Sequence, residues 1–402
     1  MTEYTTLFEE ASTRIDVPSL PLEGVLRRRD RKRRNQRIAA GAVGLGIGIA
    51  LMALGSVVLR SAREPQPADW PVPSQTTVRL VREDEVVILP LVRGSLVATD
   101  SSSGTERRIA RCTSDCVFIQ DFAVSADQGW VAYDVVTCGG ACDPVEPEAG
   151  LWIAGGAGAT PRHVTTKDWM GPWSWSPIGA QLAYADRSSL FLLDPSTWER
   201  TRIALAEGEI GTVAMGPDDR SVAYSVESRP GVTPSAESLG VFVLRSGGEP
   251  HRVSAFPGVY GIAWSPDGTS LVLDSNDGVR SLVGVVSADG SDERVLEEGP
   301  SFDGPGSPVW SPNGRSIAYL RTPGKSGNYE LEFWVIGADG RGRVRIGRFG
   351  CCPDPWDGPV WSPDSQFVAF SRDAVRWVVA RADGTGPLEL IDRLEVERWR
   401  QG

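Results

Sequence analysis

The sequence predicts an all-β protein, a β-propeller of seven blades or of six, preceded by one transmembrane helix. Three observations lead to this prediction: a motif recurs every 40–51 residues, glycine and proline are abundant, and 22 uncharged residues precede the repeats. Of the 402 residues, 45 are Gly and 29 are Pro, a composition typical of turn-rich β proteins. With 41% hydrophobic residues and 14 Trp, the chain can bury a core.

We expect a transmembrane helix over residues 38–59. At about 1.5 Å per residue, 22 residues cross a hydrocarbon core of about 30 Å. Residues 27–37 carry eight basic residues and one acidic residue, so the positive-inside rule places the N-terminus in the cytoplasm. The predicted location is the cell membrane, with a single span and the propeller outside. A cleaved signal peptide is the alternative, but its basic and apolar regions would both be too long.

The repeated motif is a Trp-Ser-Pro-Asp-Gly turn followed by a short apolar strand. Its first residue, here called the head, is Trp in four copies, Met in one and Val in a degenerate one. The heads are Val124, Trp175, Met215, Trp264, Trp310 and Trp361. Pro fixes φ, Asp bonds its own backbone and Gly accepts positive φ, so the motif turns the chain. Asp-Gly hairpins such as Asp289-Gly290 then join two further strands, and four short strands per repeat make one propeller blade.

These repeats resemble those of the TolB family of bacterial periplasmic proteins and, more broadly, WD-like repeats. The resemblance covers roughly residues 122–392 and implies a propeller fold that can serve binding, scaffolding or catalysis. Upstream, we expect strands over residues 86–91, 96–100 and 107–110 to make a seventh blade. Six blades, with an N-terminal strand completing the last one, is the alternative.

The chain divides into five predicted parts. A cytoplasmic leader (1–37) and the span (38–59) are followed by a Pro-rich linker (60–77), the propeller (78–392) and a C-terminal tail (393–402). Within the leader, an amphipathic helix would place Leu7, Phe8, Ala11 and Ile15 on one face, which could dock a cytosolic partner. With its stretch from Pro18 to Glu23 and its Arg-rich stem, the leader is similar to N-termini of single-pass actinobacterial membrane proteins. Some of these are suspected partners of extracytoplasmic-function sigma factors, so the similarity adds such a factor as a candidate cytosolic partner.

Six cysteines lie beyond the predicted span. They are Cys112, Cys116, Cys138, Cys142, Cys351 and Cys352. An even number in an extracytoplasmic domain favours disulfides, although the pairing does not follow from the sequence. A four-cysteine zinc site from the two C-x-x-x-C pairs is the alternative, but zinc ribbons prefer closer spacing.

The sequence predicts no catalytic residue, metal ligand or cofactor. It contains no Gly-x-Ser-x-Gly motif, no Walker A loop and only two His, His163 and His251. Residues 61–402 carry a net charge of −15, which repels phosphate and argues against nucleic-acid binding. We therefore expect a binding module, a sensor or scaffold that recognises a protein, peptide or glycan. The alternatives are a regulator acting on a sigma factor through the leader, and a propeller lyase or hydrolase.

Overall fold

In the computed structural model, the described residues form 27 strands in seven separate antiparallel sheets. It describes residues 76–82, 94–100, 106–111, 117–127, 129–137, 149–155, 161–165, 171–228, 231, 234–301, 303–322, 330–350, 358–371, 377–391, 396 and 399. Six of the sheets have four strands, and the sheet nearest the N-terminus has three.

The strand bounds follow the repeat of the sequence. The three-stranded sheet consists of β1 (Thr76–Arg82), β2 (Gly94–Asp100) and β3 (Glu106–Arg111). The next three sheets are β4 (Val117–Val124), β5 (Trp130–Thr137), β6 (Gly150–Gly155), β7 (Arg162–His163); β8 (Trp173–Trp175), β9 (Leu182–Asp186), β10 (Ser189–Asp194), β11 (Glu199–Leu205); and β12 (Glu209–Met215), β13 (Ser221–Glu227), β14 (Gly240–Arg245), β15 (His251–Ser254). The last three are β16 (Val259–Trp264), β17 (Ser270–Asn276), β18 (Arg280–Ser287), β19 (Glu293–Pro300); β20 (Pro305–Trp310), β21 (Ser316–Arg321), β22 (Glu330–Gly337), β23 (Val344–Gly350); and β24 (Val360–Trp361), β25 (Phe367–Ser371), β26 (Trp377–Arg381), β27 (Glu389–Ile391). A 3₁₀ helix, Ala236–Ser238, lies between β13 and β14.

The sheets are arranged around a common axis. Each four-stranded sheet pairs its strands in chain order, and the first strands β8, β12, β16, β20 and β24 contact one another in sequence. The first strand of each sheet is therefore the innermost, and the fourth lies at the rim. This is the arrangement of a β-propeller, which confirms the all-β propeller part of the predicted fold class.

The core lies between neighbouring sheets. One cluster joins Val272 and Val283 of one sheet to Ile317 and Tyr319 of the next, and equivalent clusters fill the other boundaries between the four-stranded sheets. The alanine of the repeat, Ala318 in this unit, is completely buried where two sheets approach closely. Packing between blades is thus what the apolar residues of the motif provide.

The propeller has two chemically different faces. The turn face carries the connectors between first and second strands and between third and fourth strands. The loop face carries the connectors between second and third strands, and those that lead to the next sheet. On the turn face the first-to-second connectors have five residues, as in 216–220 and 265–269, with one of six. On the loop face the connectors range from two residues (187–188) to twelve (228–239).

Two of the strands predicted upstream are present, whereas a third predicted strand and the predicted span lie outside the described residues. β2 and β3 coincide with the strands expected over 96–100 and 107–110, whereas β1 begins at Thr76, two residues before the predicted start of the propeller. Residues 86–91 and the predicted span, 38–59, lie outside the described residues. Within the described ranges, no helix has the length and apolar character needed to cross a bilayer.

Candidate binding face

On the turn face, polar side chains of the repeat form hydrogen bonds within their own turns. In the unit headed by Trp264, the Ser265 hydroxyl donates to Asp267 (2.6 Å), and the backbone N–H of Thr269 donates to the same carboxylate oxygen (3.0 Å). Hydrogen bonds from Ser265 and Thr269 hold the pKa of Asp267 below its ordinary value. The same serine-centred bonds recur at Ser125, Ser311 and Ser362. These bonds hold the turns of the repeat in one conformation.

The head tryptophans link neighbouring sheets through hydrogen bonds. The indole N–H of Trp264 donates to the carbonyl of Ala214, which immediately precedes the head of the previous unit (3.1 Å). Trp310 bonds Ala263 in the same way (3.2 Å). Equivalent bonds run from Trp175 to Ala123 and from Trp361 to Val309. At Met215, which has no indole, the backbone N–H instead donates to the Ser174 hydroxyl (3.1 Å). The heads are therefore structural.

A sector of the loop face is built differently. Glu207, between β11 and β12, accepts the Ser238 hydroxyl (2.5 Å) and the Ser235 backbone N–H (3.4 Å), which fixes the long connector 228–239 to the connector that precedes β12. These hydrogen bonds hold the pKa of Glu207 below its ordinary value, so the carboxylate stays charged. On either side lie two exposed apolar side chains, Leu205 (68%) and Val279 (73%). We call residues 205–209, 234–239 and 277–279 the loop sector.

The loop sector is acidic. Asp277 accepts backbone N–H groups from Val279 (2.8 Å) and Arg280 (2.7 Å), and these bonds hold its pKa below the ordinary value. Acidic side chains outnumber basic ones at the described loop-face strand ends and connectors. Within the loop sector itself the acidic residues are Glu207, Glu209, Glu237 and Asp277, and there is no Lys or Arg. An acidic surface with exposed aliphatic side chains suits a partner with basic and apolar groups.

Beneath this face, polar side chains are buried between the sheets. They occupy equivalent positions in the second strands: Asp134, Ser225, Asp274 and Ser371. The Asp274 carboxylate accepts the backbone N–H of Ser307 (3.0 Å), and that of Asp134 accepts the indole N–H of Trp173 (3.0 Å). The other carboxylate oxygen of Asp134 is buried without a hydrogen-bond partner. Burial raises the pKa of Asp134 well above its ordinary value, which favours the neutral acid.

Other clusters in the described residues are structural. A cavity of about 190 Å³ on the turn face is lined by Pro217, Pro266 and Gly268, and it is smaller than ordinary ligand pockets of about 300 Å³ or more. Glu297 pairs with Arg321 (2.9 Å) and Arg343 between two sheets. Within the described ranges, no group of three or more His, Cys, Asp or Glu is placed to hold a metal ion.

The histidines do not meet. The ring nitrogen of His163 lies 3.2 Å from the carbonyl oxygen of Ala149, and that of His251 lies 3.0 Å from that of Ala288. The two residues belong to the outer strands β7 and β15 of different sheets. Such placement offers no shared centre for acid–base chemistry.

The site residues expected from the sequence lie outside the described ranges. These are the cysteines Cys112, Cys116, Cys138, Cys142, Cys351 and Cys352, and the leader residues Leu7, Phe8, Ala11 and Ile15. The loop sector was missed by sequence reasoning. A signal existed in the head spacing: the unit from Met215 to Trp264 is nine residues longer than the unit from Trp175 to Met215. The shorter unit contains the connector 187–188, and the longer one contains 228–239.

Comparison with known proteins supports the repeat type. No family model matches the chain. A segment of 83 residues is 42% identical to the Tol-Pal system protein TolB of Zymomonas mobilis, and 83 residues are 37% identical to that of Rhizorhabdus wittichii. Each match covers 20% of this chain and 16% of the relative, so the matched region is a small part of those proteins.

One of the similar solved structures supports the propeller fold. A chain in the mitotic checkpoint complex superposes with a TM-score of 0.51 and 13% identity, covering 83% of this chain and 99% of that chain. TolB from Acinetobacter baumannii gives 0.42 and 15%, covering 79% of each chain. Oligogalacturonate lyase from Vibrio parahaemolyticus gives 0.49 and 12%, covering 74% and 83%. At such identities only the fold is compared. The ring of four-stranded sheets shows that this chain is a β-propeller, and a segment of 83 residues is similar in sequence to TolB.

Proposed function

We propose that this protein is a membrane-anchored, extracytoplasmic binding module whose loop sector holds a protein or peptide partner. One observation carries the proposal: the loop sector combines four acidic residues, and no Lys or Arg, with two mostly exposed aliphatic side chains on a rigid ring. Leu205 and Val279 are 68% and 73% exposed, on either side of the connector pinned by Glu207. Large exposed apolar side chains beside charge are typical of interaction sites.

The chemistry of the sector indicates the kind of partner. Glu207 and Asp277 keep lowered pKa values and are therefore ionised at neutral pH. Basic side chains of a partner would find complementary charge there, and its aliphatic groups would cover Leu205 and Val279. A neutral glycan would use neither feature. A basic protein segment or peptide is thus the partner class we favour over a glycan.

The propeller offers matched variants for a binding test. Leu205→Lys and Val279→Lys place a positive charge in the loop sector, where it would repel the basic side chains of the proposed partner, while Ile178→Lys makes the same change on the turn face, where Ile178 is 65% exposed. We expect wild type and Ile178→Lys to retain a partner cross-linked on intact cells, and the two loop-sector variants to lose it. Equal retention by all four proteins would refute the assignment of the face. Protease shaving of intact cells tests the topology, because an extracytoplasmic propeller must be reached.

The leader supports a second, regulatory proposal. A helix with Leu7, Phe8, Ala11 and Ile15 on one face could report an outer binding event to a cytosolic sigma factor. A helix of about three turns is marginal alone and would fold on its partner. Capture with residues 1–37 tests this: recovery of a sigma factor that is lost with Phe8→Asp supports it, and recovery of none rejects it.

A further inference from the structure

The inner edge of β1 carries no strand among the described residues. In each four-stranded sheet the first strand lies at the axis, yet the sheet of β1, β2 and β3 has three strands only. An exposed sheet edge presents unpaired N–H and C=O groups and is ready to accept another strand. We infer that residues 63–70 of this chain dock on that edge as the missing first strand and complete the seventh blade.

The register of the ladders shows which strand is missing. In four of the six complete sheets the pair of third and fourth strands shifts register, and no pair of second and third strands does. The pair β2–β3 has such a shift and the pair β1–β2 has none. The three strands are therefore the second, third and fourth of a blade, and the absent strand is the inner one.

The same shift fixes the position of the head. It falls between Leu190 and Phe191 in β10, which ends at Asp194, and between Leu96 and Val97 in β2, which ends at Asp100. In each strand the shift falls between the residues that lie four and three positions before the strand end. The ends of β10 and β2 are therefore equivalent positions. Residue Thr76 of β1 is paired with Asp100.

In the other blades the residue at that pairing position lies six residues after the head. Ser270 pairs with Ser287 and follows Trp264 by six, and Ser316 pairs with Gly337 and follows Trp310 by six. Counting six residues back from Thr76 reaches residue 70. Residue 70 is a tryptophan, the residue type that forms the head of four other units.

The prolines before Trp70 are compatible with an inner strand. Pro65 lies five residues before its head, as Pro305 does in β20, and Pro67 lies three before it, as Pro172 does before Trp175. An inner strand has one edge without a partner, where a missing N–H costs little. By analogy with the other heads, the indole of Trp70 would donate to the carbonyl that precedes the last head, that of Val360.

The direction of the strand has a consequence that rests on the proposed membrane anchoring. First strands run from the loop face to the turn face, so residue 63 would lie at the loop face. Only residues 60–62 would then separate the predicted span from the propeller, a reach of about 10 Å. The loop face would then lie toward the bilayer, and the partner would bind close to the membrane surface.

Hydrogen exchange on the full-length protein in detergent tests the docking. We expect the amides of Gln66, Ala68, Asp69 and Trp70 to be protected as a group, with exchange of at least one bonded amide within about tenfold of that in residues 259–264. Exchange of all four at the rate of an unfolded peptide would overturn the inference. An unprotected segment together with a concentration-dependent dimer would assign the edge to a second copy, and would also overturn it.

Substitution gives an independent readout. Trp70→Ala should lower the melting temperature by as much as Trp310→Ala, and Trp70→Phe should lower it less. If residues 63–70 were only an undocked linker, neither Trp70 variant should change the melting temperature. Should Trp70→Ala not fold, exchange in the unaltered protein decides the question. Neither measurement involves a binding partner, so failure here and failure of the proposed function are separate outcomes.

Discussion

Replacing Trp310 by alanine removes a large side chain and a hydrogen bond from the boundary between two blades. The indole is 8% exposed, and its N–H donates to the Ala263 carbonyl at 3.2 Å. Truncation of a buried Trp to Ala costs about 3–5 kcal/mol, of which the hydrogen bond contributes about 1 kcal/mol. At about 2–4 °C per kcal/mol for a domain of this size, we expect the melting temperature to fall by at least about 6 °C.

The matched variant is Trp310→Phe, which keeps most of the ring and loses the donor. We expect it to cost about 1 kcal/mol plus a small packing loss. The Met215 head indicates that a blade boundary tolerates the absence of an indole donor. Thermal unfolding of the full-length protein followed by circular dichroism measures both variants. An unchanged melting temperature for Trp310→Ala, or an equal decrease for the Ala and Phe variants, would refute the role of Trp310 in linking two sheets.

Further predictions concern the backbone and the buried carboxyl. Gly258 and Gly247 both have positive φ (59° and 76°), but an added Cβ would lie 2.2 Å from the carbonyl oxygen of Asn276 at Gly258 and would touch nothing within 4 Å at Gly247. Gly247→Ala should therefore cost about 1–2 kcal/mol and Gly258→Ala more than about 3 kcal/mol in urea unfolding, and equal costs would contradict the clash. Because the pKa of Asp134 is raised, its contribution to stability is present below about pH 3.9 and is lost as the pH rises through the folded value. Asp134→Asn should thus gain stability relative to wild type between pH 4 and pH 8, and a difference independent of pH would contradict this assignment.

The sequence predicted the turn face well because its signals are local. Ser265, Pro266, Asp267 and Gly268 encode a turn through their own dihedral preferences and hydrogen bonds, and the structure forms that turn at the expected place. Outer strands are harder to predict. β19 (Glu293–Pro300) lies at the rim with mostly exposed or half-exposed residues, so its hydrophobic alternation is weak and its pairing depends on β18.

The loop sector could not be derived for a different physical reason. Glu207 is 28 and 31 residues from Ser235 and Ser238, and the bonds among them depend on the pairing of β12, β13 and β14 in one sheet. Likewise, the exposure of Leu205 at the end of β11 depends on which connector lies above it. Periodicity specifies strands and tight turns, but it does not encode contacts between connectors of unequal length.

The division of the propeller into two faces separates stability from recognition. On the turn face, residues such as Ser362 and Asp364 are bonded to each other and to the backbone, so a substitution there alters the blade before it alters any surface. On the loop face, Val279 can change without loss of a buried contact, since its side chain is 73% exposed. Variants of the turn motif should therefore lower the melting temperature, whereas Val279→Lys should weaken binding at an unchanged melting temperature. Finding both effects in one class of variant would mean that the same residues hold the ring together and hold its partner.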